Sequence, residues 1–183
     1  MELLHDEMLR GIIVSRNNPP EFFYMEEYDL REIRPFWYRI RTAQALRQFE
    51  DGHVEAEPIL ETALKLESHE YVVVESRERF ILSGKCMGIL TPLARILPNY
   101  QVHTSSMIDP HFPLNLDDIK AQRNGKIPEA MPLRFGVSNP TSKTVYINPG
   151  DVLVKAYFYI ISDISVGNPN EEEWRRPLLE LAS

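Results

Sequence analysis

Residues 91–111 hold the side chains whose types could do chemistry. Arg95 could bind an anion, although a structural salt bridge would explain it as well. Asp109 is a carboxylate, but an Asp before Pro is more often a turn residue. His103 and His111 flank Asp109, and their spacing does not fit a metal-binding set. As turn or interface histidines they would need no ligand, so this segment by itself predicts no metal centre.

The charge balance limits which partners this chain can bind. Its formal net charge is −7, whereas nucleic-acid binding calls for a basic face, so nucleic acid is not the expected partner. An anionic ligand such as a nucleotide would need a local cluster of Arg or Lys, or a divalent cation. Acidic residues dilute the arginines between residues 31 and 47, and we interpret that region as a solvated charged surface.

The composition predicts one soluble domain. Hydrophobic residues make up 43% and charged residues 26% of the 183-residue chain, as in ordinary globular proteins. A single cysteine, Cys86, cannot form an internal disulfide, which fits a reducing compartment. No apolar run is long enough to span a membrane, and the acidic start does not resemble a signal peptide. We therefore expect a cytoplasmic protein, or a component of a virus particle if the source is viral.

The elements that must position these side chains are short strands. Residues 75–160 alternate runs of β-branched and aromatic residues with turn signals such as Ser83-Gly84, Asn139-Pro140 and Asn148-Pro149-Gly150. The predicted strands are Tyr71–Glu75, Arg79–Leu82, Met87–Leu90, Leu133–Val137, Thr144–Ile147 and Val152–Ile161. Such spacing leaves no room for crossover helices, so the sequence predicts a mainly β protein, a distorted antiparallel barrel of the jelly-roll type.

Other segments are less regular. Leu4–Ile13 has the apolar spacing of a short amphipathic helix, Thr42–Phe49 has the composition of a helix, and Glu61–Leu66 fits helix or strand. We expect one barrel domain over residues 1–167, with a polar surface insert at residues 113–132. Residues 168–183 form a tail with an acidic run before an apolar end. Either it docks on a partner or it folds back on its own domain; partner docking would use Trp174, Leu178, Leu179 and Leu181.

Several segments, read in order, resemble the dCTP deaminase and dUTPase superfamily, closest to its deaminase branch. They are Leu3–Gly11, Tyr28–Arg31, Tyr71–Leu82, Thr91-Pro-Leu-Ala-Arg95, Thr104-Ser-Ser-Met-Ile-Asp-Pro110 and Asn148–Phe158. Tyr28–Arg31 is similar to the family's short strand motif, and Tyr71–Leu82 is similar to its strand, Glu-bearing turn and strand. The resemblance implies a homotrimer with nucleotide sites between subunits. It also implies nucleotide-binding roles for Thr91, Arg95, Thr104 and Asp109, and Mg²⁺ only if a triphosphate binds.

The chain departs from that family where the chemistry would take place. The deaminase general base is a glutamate on the strand before the Asn-containing hairpin. Here its position holds Gly136 or, with a two-residue insertion, Arg134. Neither can accept a proton from water at neutral pH. Glu129 is a poor substitute, because it belongs to the predicted insert and not to the strand. The family's Arg-Ser-Ser becomes Leu90, Thr91 and Pro92, which loses a cation and a backbone donor.

Two hypotheses follow. In the first, the chain is a non-catalytic homotrimer that acts as a binding or structural module, with a deoxynucleotide or a larger protein assembly as partner. In the second, it is an active, diverged enzyme that converts dCTP to dUTP or dUTP to dUMP. Asp109 is then the one candidate for a catalytic role.

Overall fold

The computed structural model describes residues 2–14, 23–48, 53–59, 62–93, 101–110, 112–113 and 129–161. One helix, α1 (Asp6–Val14), follows the short strand β1 (Glu2–Leu3). The other strands are β2 (Phe23–Glu26), β3 (Ile33–Arg34), β4 (Trp37–Gln48), β5 (Val54–Pro58), β6 (Leu64–Leu66), β7 (Tyr71–Leu82), β8 (Cys86–Pro92), β9 (Gln101–His103), β10 (Met107–Ile108), β11 (Met131–Ser138), β12 (Val145–Ile147) and β13 (Val152–Ile160).

These strands form one curled antiparallel sheet in the order β10-β8-β13-β4-β7-β11-β9, with β1, β2, β3 and β5 attached to its sides. Strands β6 and β12 pair separately. The long strand β4 joins the two halves of the sheet. Its first half pairs with β13 and its second half with β7, and the register shifts between Thr42 and Gln44. Because a bulge bends and twists a strand, this irregularity lets the sheet curl into a half-barrel. The predicted mainly β barrel is confirmed.

The core lies inside the curl and is built from alternate residues of the strands. Phe23 stacks on Phe158 with ring centroids 4.6 Å apart, and Phe80 lies 6.1 Å from Phe158. Leu9 of the predicted helix packs into the same core. Cys86 is buried there, and burial raises the pKa of its thiol to about 12. Within the described residues, no helix is long and apolar enough to cross a membrane.

The turns form where the sequence indicates them. Gly150 has φ of +78°, a conformation that glycine adopts without steric cost, and it ends the corner that begins at Asn148. Asn139 is buried and holds the hairpin between β11 and β12. Its side-chain amide donates to the carbonyls of Leu66, Glu67 and Lys143, and its oxygen accepts from Thr141.

Three of our expectations were wrong in detail. Thr42 and the residues after it belong to strand β4, not to a helix, because pairing with β5 and β7 outweighs the helical propensity of Ala, Gln and Arg. Leu30–Glu32 is a 3₁₀ turn rather than part of a strand, since Asp29 caps it by accepting from the Arg31 N–H. Residues 71–82 run as one strand without a turn.

Two further expectations are refined. The segment 61–66, for which helix and strand were both open, contains strand β6. The last two residues of the predicted insert at 113–132, Met131 and Pro132, belong to β11. Residues 114–128 and the tail lie outside the described residues.

A buried charge links β4 to β7 at the bend of the sheet. The Glu78 side chain is fully buried, and its carboxylate accepts hydrogen bonds from the Tyr38 hydroxyl (3.1 Å), the Arg41 N–H (3.0 Å) and the Arg41 Nε (2.6 Å). Arg41 also lies 3.6 Å from Asp29. Burial raises the pKa of Glu78, and the Arg41 guanidinium acts in the opposite direction.

Replacing Arg41 tests this link. We expect Arg41→Met to lower the free energy of unfolding by about 3–5 kcal/mol, because a buried carboxylate loses its partner. The double variant Arg41→Met/Glu78→Gln should lose less free energy of unfolding than Arg41→Met, since it carries no unpaired buried charge. Without Arg41, the raised pKa of Glu78 rises further. A raised carboxyl pKa favours the folded state at low pH, so the deficit of Arg41→Met should shrink as pH falls from 7 towards 5.

Urea unfolding of the three proteins at several pH values measures both effects. A single variant that is no less stable than the double variant, or a deficit that grows on acidification, would contradict this account.

Candidate functional site

A groove of about 380 Å³ lies where β10, at one edge of the sheet, faces the start of β11. Its apolar lining comes from Leu90, Met107, Ile108, Phe112, Pro113, Met131, Pro132 and Leu133, and its polar lining from Ser105, Asp109 and Arg134. Met107 and Met131 are 45% and 39% exposed. A concave apolar surface with a few polar groups is typical of a ligand site.

Backbone contacts fix the groove wall around Asp109. Ile108 packs against Gly88, where an added Cβ would lie 2.7 Å from the Ile108 Cδ1. The Phe112 N–H donates to the Asp109 carbonyl at 3.1 Å, and the Leu82 N–H donates to the Phe112 carbonyl at 2.7 Å. The chain therefore turns at Asp109, as its Asp-Pro sequence indicates, and the exposed Asp109 side chain still lines the groove. Turn formation and ligand contact are compatible at this residue.

The opposite wall depends on a second bulge, between Pro132 and Arg134 of β11. The Ser76 hydroxyl stabilises this bulge: its oxygen accepts a hydrogen bond from the Leu133 N–H at 2.9 Å, and its O–H donates to the Glu78 carbonyl at 2.5 Å. This contact sets the position of Arg134, which is paired in register with Glu75 of β7.

Arg134 occupies one of the two positions that correspond to the missing glutamate. Its Nε lies 2.8 Å from Glu75 Oε1, and the other Glu75 oxygen accepts from Gln44 Nε2 at 2.5 Å. The Glu75 side chain is only 9% exposed, whereas that of Arg134 is 61% exposed. At this position the groove presents a paired cation instead of a free carboxylate.

Gly136, the other position that corresponds to the missing glutamate, has no room for a side chain. An added Cβ would lie 2.3 Å from the Tyr71 hydroxyl and 2.7 Å from two ring carbons. The Tyr71 ring, itself 57% exposed, therefore occupies the space that a side chain at position 136 would need. Glu129 is exposed, pairs with Arg79 at 3.1 Å and does not line the groove. Of the three positions considered for a general base, none provides a free carboxylate in the groove.

The predicted nucleotide-binding residues are separated in the structure. Asp109 lines the groove, but Thr91 and Thr104 do not. Thr91 follows the buried Leu90 in β8, so its side chain points to the opposite, outer face of the sheet. Arg95 and His111 lie outside the described residues, as do Trp174, Leu178, Leu179 and Leu181; the roles assigned to these residues stay predictions.

The part of the chain that the structure describes provides no ligand set for a resident metal ion. That part contains no group of three His, Cys, Asp or Glu side chains close enough to hold one. Asp109 is the one carboxylate of the groove lining, and a single carboxylate does not make a magnesium site. The expectation that Mg²⁺ binds only together with a triphosphate stays a prediction.

Comparison with solved structures identifies the architecture. The fold matches the crystal structure of 2′-deoxycytidine 5′-triphosphate deaminase from Agrobacterium tumefaciens with a TM-score of 0.57 at 16% sequence identity, over 87% of this chain. The chain has the fold of the dCTP deaminase and dUTPase superfamily. It spans 48% of the length of that deaminase chain.

A native dUTPase structure from EIAV aligns with 69% of this chain and 91% of its own, with a TM-score of 0.40 at 7% identity. No family model matches the sequence. No curated protein matches it either.

The Glu75–Arg134 pair gives a prediction about stability. Arg134→Met should lower the free energy of unfolding by about 1–2 kcal/mol, because the nearly buried Glu75 carboxylate would lose a charged partner. Glu75→Gln should cost less than about 1 kcal/mol, since Arg134 is well exposed and can turn to water. Urea unfolding at neutral pH compares the two, and an equal or larger cost for Glu75→Gln would be inconsistent with this environment.

Proposed function

We propose that this protein is a catalytically inactive homotrimer of the dCTP deaminase and dUTPase type, and that it acts as a binding or structural module. The observation that supports this proposal most directly is the Arg134–Glu75 ion pair. Water activation needs a group that can accept a proton near neutral pH, and a guanidinium cannot do so.

The residues at the positions of the family's phosphate-binding motif support the same proposal. Leu90, at the position of the family's arginine, is buried among apolar residues. Pro92 has no backbone N–H to donate. Loss of one catalytic group commonly costs several orders of magnitude in rate, and here the base and most of the phosphate cradle are absent together.

The trimer is supported by the separation of the candidate residues. Asp109 lines the groove, whereas Thr91 is on the outer face of the same half of the sheet. One nucleotide could contact both only if the groove of one copy faces the outer surface of another. A site between subunits, as the family resemblance implies, satisfies this condition, and symmetric assembly is the usual way to form one.

An active, diverged deaminase or diphosphatase is the second candidate, and Asp109 is the observation that favours it. This carboxylate is exposed in the groove and has no hydrogen-bond or ion-pair partner for its side chain among the described residues. A free carboxylate at such a place could activate water for attack on a phosphate chain.

Turnover decides between the two candidates. The full-length protein is incubated with dCTP or dUTP in the presence of Mg²⁺, and ammonia, dUTP and dUMP are measured beside an active dCTP deaminase and an active dUTPase. We expect no product above the rate without protein, and the same result for Asp109→Asn. Product formation by the parent that disappears in Asp109→Asn would overturn the proposal and establish the active alternative.

A further inference from the structure

Exposed large apolar side chains concentrate in one short stretch of the chain that the structure describes. Tyr28, Leu30 and Phe36 are 39%, 38% and 51% exposed, whereas the others with comparable exposure are spread singly over β5, β7, β10, β11 and β12. Single exposed apolar side chains are normal on a protein surface, but a group of them marks a contact site. We call Tyr28, Leu30 and Phe36 the hairpin patch.

Local contacts hold the hairpin patch on an ordered corner next to β4. The Asp29 side chain caps the 3₁₀ turn that carries Leu30, and the Asp29 N–H donates to the Tyr38 hydroxyl at 2.8 Å. β3 follows this turn directly and pairs with β4, so Phe36 lies at the tip of a tight hairpin. Because the corner is already ordered, a segment that covers it loses little entropy on the side of the patch.

Two arginines beside the hairpin patch can bind carboxylates. The Arg34 Nη1 donates to the carbonyls of Arg31 and Ile33 at 2.8 and 3.2 Å, and none of the described carboxylates forms an ion pair with Arg34. The Arg31 side chain pairs with Asp29 but is 88% exposed. A guanidinium group has five N–H donors, so these contacts leave donors for an external carboxylate. The patch therefore fits a partner that combines apolar side chains with negative charge.

The chain itself contains a segment with this chemistry. Residues 162–183 hold five acidic and two basic residues, a net charge of −3. Three of the acidic residues are consecutive, at Glu171–Glu173. The large apolar residues that follow this run are Trp174, Leu178, Leu179 and Leu181. Carboxylates beside apolar side chains complement arginines beside apolar side chains, which gives a contact its specificity.

The described chain ends close enough to the hairpin patch for this segment to reach it. Ile160 of β13 pairs with Glu2, and the Asp6 N–H donates to the Pro35 carbonyl at 3.0 Å. Four residues span at most about 14 Å, so the end of β13 lies within roughly 20 Å of the hairpin tip. Residues 162–170 can span about 30 Å. Tethering also raises the local concentration of the segment, so a small contact area is sufficient for docking.

We propose that residues 171–181 dock on the hairpin patch of the same chain. Trp174 packs against the Phe36 ring, the glutamates before it pair with Arg34, and the leucines after it cover the rest of the patch. The hairpin patch shares no residue with the groove. The inference therefore holds whether or not the groove binds a nucleotide, and the turnover assay is independent of it.

Tryptophan fluorescence of the full-length protein tests this contact. The chain has two tryptophans, so Trp37→Phe leaves Trp174 as the single reporter. We expect acrylamide to quench Trp174 at least about 2-fold less in this protein than after the further change Phe36→Ser, because a segment docked for more than half of the time is shielded for that fraction. Arg34→Gln in place of Phe36→Ser should raise the quenching part of the way.

The matched control is Val54→Ser, again in the Trp37→Phe protein. It removes an apolar side chain that is 52% exposed on β5, nearly the same exposure as that of Phe36, and should leave the quenching unchanged. Equal quenching with and without Phe36→Ser would overturn the proposal, as would an equally large change in Val54→Ser. Circular dichroism establishes that each variant is folded.

Engineered cysteines decide whether the segment docks on its own chain. A disulfide forms only where two Cα atoms approach to within about 7 Å. Phe36→Cys together with Trp174→Cys should therefore form a disulfide within one chain under mild oxidation, and the native Cys86 is buried and does not compete. Val54→Cys with Trp174→Cys should stay mainly reduced. Disulfide-linked dimers would overturn docking on the same chain, and equal oxidation of the two pairs would overturn the site.

Discussion

The carboxylate of Glu78 has no contact with solvent, and the structure around the bend of the sheet depends on keeping it paired. Arg41 and Tyr38 of β4 donate to it, so the two long strands that carry both halves of the sheet are joined through one charge. The same arginine reaches Asp29, and the Asp29 N–H donates to the Tyr38 hydroxyl at 2.8 Å. An unpaired charge at this depth would be costly, so the ionised Glu78 carboxylate needs Arg41 and Tyr38 to stay in these positions.

The groove depends indirectly on the bend, through Ser76. Ser76 lies two residues before Glu78, contacts the Glu78 carbonyl and stabilises the bulge in β11. The bulge brings Arg134 beside Glu75 and into the groove lining. Arg134 is therefore part of the framework of the sheet, and a carboxylate introduced at position 134 would lie beside Glu75. Two carboxylates on these neighbouring positions would repel each other, which raises the free energy needed to ionise both.

Sequence patterns predicted the strands and turns well, because β-branched runs and Pro-Gly or Asn-Pro corners act locally. They failed for residues 42–48, where Ala, Gln and Arg favour a helix and only pairing with distant strands decides otherwise. Asp109 and Arg134 could be found from motifs and their spacing. The roles of Tyr71 and Glu75 could not, since nothing local shows that Tyr71 covers Gly136 or that Glu75 faces Arg134. Nor could the contact between the Lys155 ammonium and the Trp37 ring, because the pairing of β13 with β4 brings together residues that are far apart in the chain.

We infer that the candidate residues make one site only when copies of the chain assemble, because Asp109 and Thr91 lie on different surfaces of one chain. Light scattering after size-exclusion chromatography tests this most directly, over a range of protein concentrations. We expect a mass three times that of the 21.3 kDa chain. A monomer at every concentration would contradict it and would leave the groove and the outer face as separate surfaces.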